Sequence, residues 1–471
     1  MKAQSEGWMT TRKDRLYYDS YMFGLSSIYA LVTAFLSTYL PMRGLSATSV
    51  ASVMLIVKVW DAVNDVFFGG IFDKIKLSQG KFLPWLKISL PFVPLATVLL
   101  FAMPNFGGSN AKLLWFAITY IFWDAAYTLC DVPLYGLVTT MTNHLQERTS
   151  IMSFAKLYNL GGLVFAYAMA TLLVSQQVGF SYTTAALICG LIALATMTPI
   201  CLKGKEHNYQ DTHTEETFTF REMFRYMRQN KYLLIFYAAF IINGCLGVAT
   251  GLGMFVSYYL FDNELFNLIL GAIAMVPTVL LVAIIPQLIK KVDKFKLYYG
   301  GWILSTLIGI LIYAVGYQNR TLFIVLSVLR AIPAAFPAFL VFMFTPDCAE
   351  YGQYKSGTEA KGITFAIQTF SAKLTASIST SLGLALIGMF GFVSYEAANF
   401  AELSEMGVAQ TPEALHGLWI TYALVPVIGG ILQVLLLWFY KLNDKDVQIM
   451  SDCNSGLITR EEAEAALSRK Y

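Results

Sequence analysis

Along this chain, apolar runs of about two dozen residues alternate with short polar breaks, a period set by a bilayer rather than by a soluble core. A hydrocarbon layer about 30 Å thick is crossed by roughly 20 apolar residues in a helix. Cutting at the polar breaks yields twelve such runs. Six lie at Tyr17 to Leu40, Ala47 to Ile71, Phe82 to Met103, Ala111 to Thr140, Ser150 to Ser175 and Tyr182 to Cys201. Six more lie at Tyr232 to Leu260, Asn267 to Leu288, Tyr298 to Val315, Leu322 to Phe344, Gly362 to Phe392 and Leu418 to Tyr440. The pattern predicts an all-α polytopic membrane protein. Its N-terminal six-helix bundle spans 1–202, its linker 203–231, its C-terminal six-helix bundle 232–441 and its tail 442–471.

Composition agrees with that pattern. Of 471 residues, 56% are hydrophobic and 13% charged, and the mean hydropathy is +0.57, which excludes an ordinary soluble domain. Lys and Arg stay on the cytoplasmic side of short loops. With the N-terminus inside, the loops expected outside hold only Arg43, Lys112 and Arg320 of the 33 basic residues. An even number of spans follows, with the linker and both termini cytoplasmic. The net charge of +3 is accounted for by the inner loops and suggests no nucleic-acid partner. Six scattered cysteines without CxxC spacing indicate neither a disulfide scaffold nor a metal site. No nucleophile–base constellation stands out, so the chain reads as a non-enzyme. The tail carries TREE at 459–462, a capping-box start to a short helix.

Ionisable groups inside spans change the picture, because each costs about 2.5 to 3.5 kcal/mol at the bilayer centre and so faces a partner or a water-filled path. The second run ends in WDAVND, placing Lys58, Asp61, Asn64 and Asp65 on one helical face. Two carboxylates and an amide oxygen one turn apart suit a cation or a proton. The alternative is a structural network in which Lys58 neutralises Asp61. The fourth run repeats the theme: Asp124, Thr128 and Asp131 recur at i, i+4, i+7 beside Trp123, Tyr127 and Tyr135. Carboxylates take sugar hydroxyls and aromatic rings cover the C–H face, although Trp and Tyr are also common interfacial anchors. Lys156 near the start of the fifth run, and Lys373 with Gln368 and Thr369 in the eleventh, add polar groups; Arg330 in the tenth is ambiguous. Runs seven to nine carry no interior acid, which suits a carrier with one central site better than a symmetric channel.

WDAVND followed by GGIFDK and GKFLPW, then YTLCDVP, PDCAEYG and QTFSAK, occur here in order along nearly the whole chain. In that order they resemble the glycoside-pentoside-hexuronide:cation symporter family (melibiose permease-like) of the major facilitator superfamily. The resemblance implies the major facilitator fold and cation-coupled sugar or glycoside symport by alternating access, with no catalytic residues and no cofactor beyond a coupling Na⁺, Li⁺ or H⁺. It makes Asp61, Asn64, Asp65 and Thr128 the cation ligands. It places Trp123, Asp131, Tyr135 and Lys156 at the sugar, with Gln368, Thr369 and Lys373 near both sites. Asp124 and Tyr127 join the substrate group on their spacing. Gly69, Asp73 and Lys74 match the superfamily's cytoplasmic latch, and Asp347, Glu350, Glu359 and Lys361 are expected gate contacts around the tenth and eleventh helices.

There are departures. Melibiose permease carries a sugar-binding aspartate on its first helix, and an ungapped count back from GLS at 44–46 puts Leu25 there. Lys156 stands for an arginine, exchanging a bidentate fork for a point charge. Asp124, at a position usually small, is the expected replacement for the missing carboxylate. The expected partners are a sugar or glycoside and the bilayer of a bacterial inner membrane, and the protein is expected to be monomeric. The alternatives are H⁺ coupling, a uronide substrate, or a transporter-derived sensor.

Overall fold

A computed structural model describes residues 8–58, 60, 80–105, 107–206, 220–357 and 361–471. The described chain is helical, apart from one isolated β-bridge between Arg43 and Glu396. In order the helices are α1 (Arg12–Tyr39), α2 (Ala47–Lys58), α3 (Leu83–Phe101), α4 (Ser109–Met141), α5 (Leu145–Leu173) and α6 (Tyr182–Lys203). Next come α7 (Phe220–Gln229), α8 (Lys231–Cys245), α9 (Gly253–Phe261), α10 (Phe266–Leu288), α11 (Lys294–Val315), α12 (Arg320–Leu340) and α13 (Phe344–Ser356). The last are α14 (Lys361–Met389), α15 (Phe400–Glu405), α16 (Pro412–Trp419), α17 (Val425–Leu437), α18 (Asp444–Asn454) and α19 (Arg460–Ala466). Joined where they run on, they give, among the described residues, 10 helices long and apolar enough to cross a membrane. The shorter apolar helices α2 and α10 stand where the other two spans are expected.

Polar caps set many of the ends. Thr11 accepts from the Asp14 N–H while the Asp14 carboxylate accepts from the Thr11 N–H, a reciprocal capping box that starts α1. The TREE sequence does the same for α19, through Thr459 and Glu462. Asn230 starts α8 by accepting from the Leu233 N–H, and its amide also donates to the Cys348 carbonyl at 2.7 Å.

Two expected spans have a different backbone. The seventh is broken by a 3₁₀ turn, Val248–Leu252, between α8 and α9. The break falls in GCLGVATGLG, where four glycines lower helix propensity. The tenth passes from α12 through a 3₁₀ turn, Val341–Met343, into α13 and so runs beyond Phe344; PDCAEYG is helical, and Gly357 at φ 72° stops it. The linker contains helix α7, and residues 207–219 of it lie outside the described residues.

Contacts divide the chain into two compact units. The first holds Met1–Thr214, Ser257–Leu268 and Leu384–Leu415; the second holds Glu215–Val256, Ile269–Gly383 and His416–Tyr471. In the first, α1 packs against α5 and α6, and α3 against α4 and α6. Small residues allow it: any Cβ on Gly162 would strike the Phe23 carbonyl, so α5 meets α1 backbone to backbone. Ser27 reinforces the contact by donating to the Gly162 carbonyl at 3.2 Å. In the second unit, α11 packs on α12 and α17, α8 on α17, and α18 of the tail on α13.

Candidate functional site

In the first unit, α4 presents aromatic and acidic residues toward α1. The Trp123 and Tyr127 rings stack with centroids 5.2 Å apart, and Tyr29 of α1 lies 5.5 Å from Tyr127. Trp123 is 3% exposed, and its Nε1–H donates to Thr97 Oγ1 of α3 at 3.1 Å. It is therefore buried behind Tyr127, while Tyr29 and Tyr135 are exposed. One to two turns further along α4, Asp131 is half-buried, and Tyr18 of α1 lies in the field of both Asp131 and Tyr135. The Tyr18 hydroxyl itself points at Met152 Sδ of α5, 3.8 Å away. Asp124 and Thr128 are both buried within α4, and Lys58 of α2 sits 5.8 Å from the Tyr120 ring centroid. Lys156 is exposed on α5.

α1 supplies two groups that the sequence reading did not single out. Leu25 is buried, as a leucine in a packed helix should be. Tyr18, Met22, Leu25 and Tyr29 follow one helical face, which brings Tyr29 to the wall. Asp19 is 6% exposed, and its Oδ1 has no hydrogen-bond partner. The available signal was an acid two residues inside an apolar run, masked by the basic residues just before it.

In the second unit, Gln368 accepts from Thr345 Oγ1 at 2.6 Å, and Thr345 in turn meets the Tyr237 hydroxyl at 2.5 Å. This chain ties α14 to α13 and α8. Thr369 is exposed one residue on, and Lys373 is half-buried on the same helix. Arg330 lies between α11 and α17, beside Tyr422 and over Gly309. In the first turn of α13, Asp347 pairs with Lys294 at 2.7 Å, and Lys294 also reaches Asp444 of the tail at 3.1 Å. Glu350 accepts from the Asn454 amide at 2.8 Å. Of the expected gate acids, Asp347 is thus engaged by α11 and Glu350 by the tail. Lys361 opens α14. Asp61, Asn64, Asp65, Gly69, Asp73, Lys74 and Glu359 lie outside the described residues.

The sequence profile of the family described as MFS/sugar transport protein matches residues 18–444. The chain belongs to that family. It is a multi-pass membrane transporter, and the symporter resemblance noted in its motifs stands. Among curated proteins it is similar to the uncharacterized symporter YnaJ of Bacillus subtilis, 29% identical with 93% of each chain covered. The isoprimeverose transporter of Lactiplantibacillus pentosus is 25% identical over 94% of this chain and 91% of that one. A glucuronide carrier protein homologue of Escherichia coli is 23% identical, covering 91% and 90%. Among solved structures the nucleoside transporter NupG superposes with a TM-score of 0.63 at 13% identity, covering 91% of this chain and 100% of that one. A bacterial homologue of the lysosomal transporter Spinster gives 0.64 at 13%, covering 92% and 97%. Together with the family match, these two likenesses in fold give the chain the major facilitator fold.

Proposed function

We propose that this transporter imports a sugar or glycoside across a bacterial inner membrane by alternating access, coupled to a cation, Na⁺ in the first instance. The observation that carries this reading is the face shared by Tyr29, Tyr127, Tyr135 and Asp131. Aromatic rings beside a half-buried carboxylate match a ring of hydroxyls with an apolar underside. Two similar proteins, named for isoprimeverose and glucuronide, support a glycoside or uronide over other small molecules. Gln368, Thr369 and Lys373 supply further polar groups from α14. Asp61, Asn64, Asp65 and Thr128 hold the cation, whose charge offsets the repulsion between two nearby carboxylates. Both termini face the cytoplasm in this reading.

Asp19 supports a second reading, H⁺ coupling. A buried carboxylate oxygen without a partner is a natural proton carrier. One experiment separates the two: uptake into proteoliposomes of galactosides, xylosides, glucosides and glucuronides, at fixed pH, with and without Na⁺. Na⁺ coupling predicts stimulation of at least one glycoside by Na⁺ at constant pH. Acceleration by an imposed pH gradient alone would replace Na⁺ with H⁺. No uptake of any sugar on the panel under either gradient would overturn the substrate class.

A further inference from the structure

The connection between α14 and α16 behaves unlike a loop. Five consecutive residues, 396–400, are stitched to the ends of four helices of the first unit. The Ala397 N–H donates to the Met42 carbonyl at 2.8 Å, just after α1, and Glu396 forms an antiparallel bridge with Arg43. The Phe400 N–H donates to the Val174 carbonyl at 3.1 Å, where α5 ends. The Ala398 carbonyl accepts from the Tyr182 N–H at the start of α6, and the Asn399 amide donates to the Gly179 carbonyl at 2.6 Å. These bonds are mostly backbone to backbone, the mode by which an extended segment adds to a chain already in place.

Side chains pin the segment. Lys112 of α4, itself 7% exposed, donates to Glu396 Oε1 and to the Arg43 carbonyl, each at 2.9 Å. Arg43 adds a second cation 3.8 Å from the same oxygen. A single glutamate thus draws together the α1–α2 turn and α4. Ala397 and Phe400 are 2% and 0% exposed, so the segment is packed as well as bonded. In covalent terms it continues directly from α14, the helix that carries Gln368 and Lys373.

We propose that residues 396–400 form a releasable strap: it closes the ends of α1, α4, α5 and α6 on one side of the membrane, Glu396 is its pin, and transport requires it to unfasten. The strap rests on the transport reading for its purpose but not for its existence. The bridge between Arg43 and Glu396 brings their Cα atoms within the range a disulfide needs. In the full-length Arg43→Cys/Glu396→Cys variant, mild oxidation is expected to cross-link the pair and to stop uptake, with recovery on reduction; either single variant under the same oxidant keeps its uptake. A cross-link confirmed by mass spectrometry with uptake unchanged overturns the proposal, and so does failure of the pair to cross-link.

A second measurement needs no substrate. In detergent, the thiol introduced by Ala397→Cys should react slowly with a water-soluble maleimide, and roughly tenfold faster once Glu396→Gln removes the charge-assisted bond. Equal labelling rates with and without Glu396→Gln overturn the pin. If the wild-type protein moves no sugar while these rates differ, the transport reading has failed and the strap stands.

Discussion

At the scale of single residues, α4 and α1 divide the work between support and contact. Trp123 is the largest aromatic of the wall, yet it is buried and its one donor is used on Thr97. Tyr127 stacks on it and also meets Tyr29, so Tyr127 joins the buried ring of α4 to α1. Under the proposed function, Tyr127→Ala should weaken sugar binding roughly tenfold, the size of one aromatic contact and its packing, with little change in thermal stability. Asp131→Asn keeps the volume and removes the charge, and should weaken binding at least as much. Isothermal titration of the two variants checks both, and unaltered affinity in Asp131→Asn would remove that carboxylate from the site. The spacing of Asp124, Thr128 and Asp131 was readable because a helix puts i, i+4 and i+7 on one face and acids are rare in apolar runs. Tyr29 was not, because a tyrosine in an apolar run carries no signal until its neighbour across the helix pair is known.

At the scale of elements, hydropathy located the spans but not their backbones. It reports how long a run stays apolar, so it ended the tenth span at Phe344, before PDCAEYG, whereas α13 carries the helix on for about three more turns, to Ser356. That extension gives the tail something to hold. In the tail, Asp446 is a hub: it accepts from the Asn443 amide at 2.7 Å, the Ser468 N–H at 3.0 Å, the Ser468 hydroxyl and the Tyr471 hydroxyl at 2.5 Å. Burial by itself would raise the Asp446 carboxyl, but these donors outweigh it and hold it below the ordinary carboxylate range. A lowered pKa in the folded state means the tail gains stability above the unfolded value, near pH 4, and loses it as pH falls through the lower folded value. The contribution of Asp446 to tail docking is therefore intact at neutral pH and is lost only on acidification below the ordinary carboxylate value. Asp446→Ala should release it at neutral pH, costing about 1 to 3 kcal/mol locally as the donors lose their acceptor. Limited proteolysis or hydrogen exchange over 442–471 measures the effect; protection equal to wild type would show that α18 packing on α13 holds the tail without the hub.

At the scale of the whole molecule, the repeated apolar runs carried the all-α polytopic fold class, because a bilayer constrains every span in the same way. The weaving of residues 396–400 into the ends of α1, α4, α5 and α6 was illegible by contrast. Its bonds are largely between backbones far apart in sequence, and nothing in the sequence distinguishes Glu396 from the nearby Glu402, Glu405 and Glu413. Coupling also belongs to this scale, since no single residue contains it. If cation and sugar are carried together, the factor by which Na⁺ raises sugar affinity must equal the factor by which sugar raises Na⁺ affinity. Titrating each ligand in the presence and absence of the other should return one number, between about 5 and 150 for coupling of ordinary strength. Asp65→Cys should bring that factor to one and abolish Na⁺-stimulated uptake, because a thiol replaces a hard oxygen donor and the remaining carboxylate no longer needs a cation to offset its neighbour. Sugar accumulation against its gradient in that variant would move the coupling ion away from the WDAVND cluster, and Asp19 of α1 would be the next carboxylate to test.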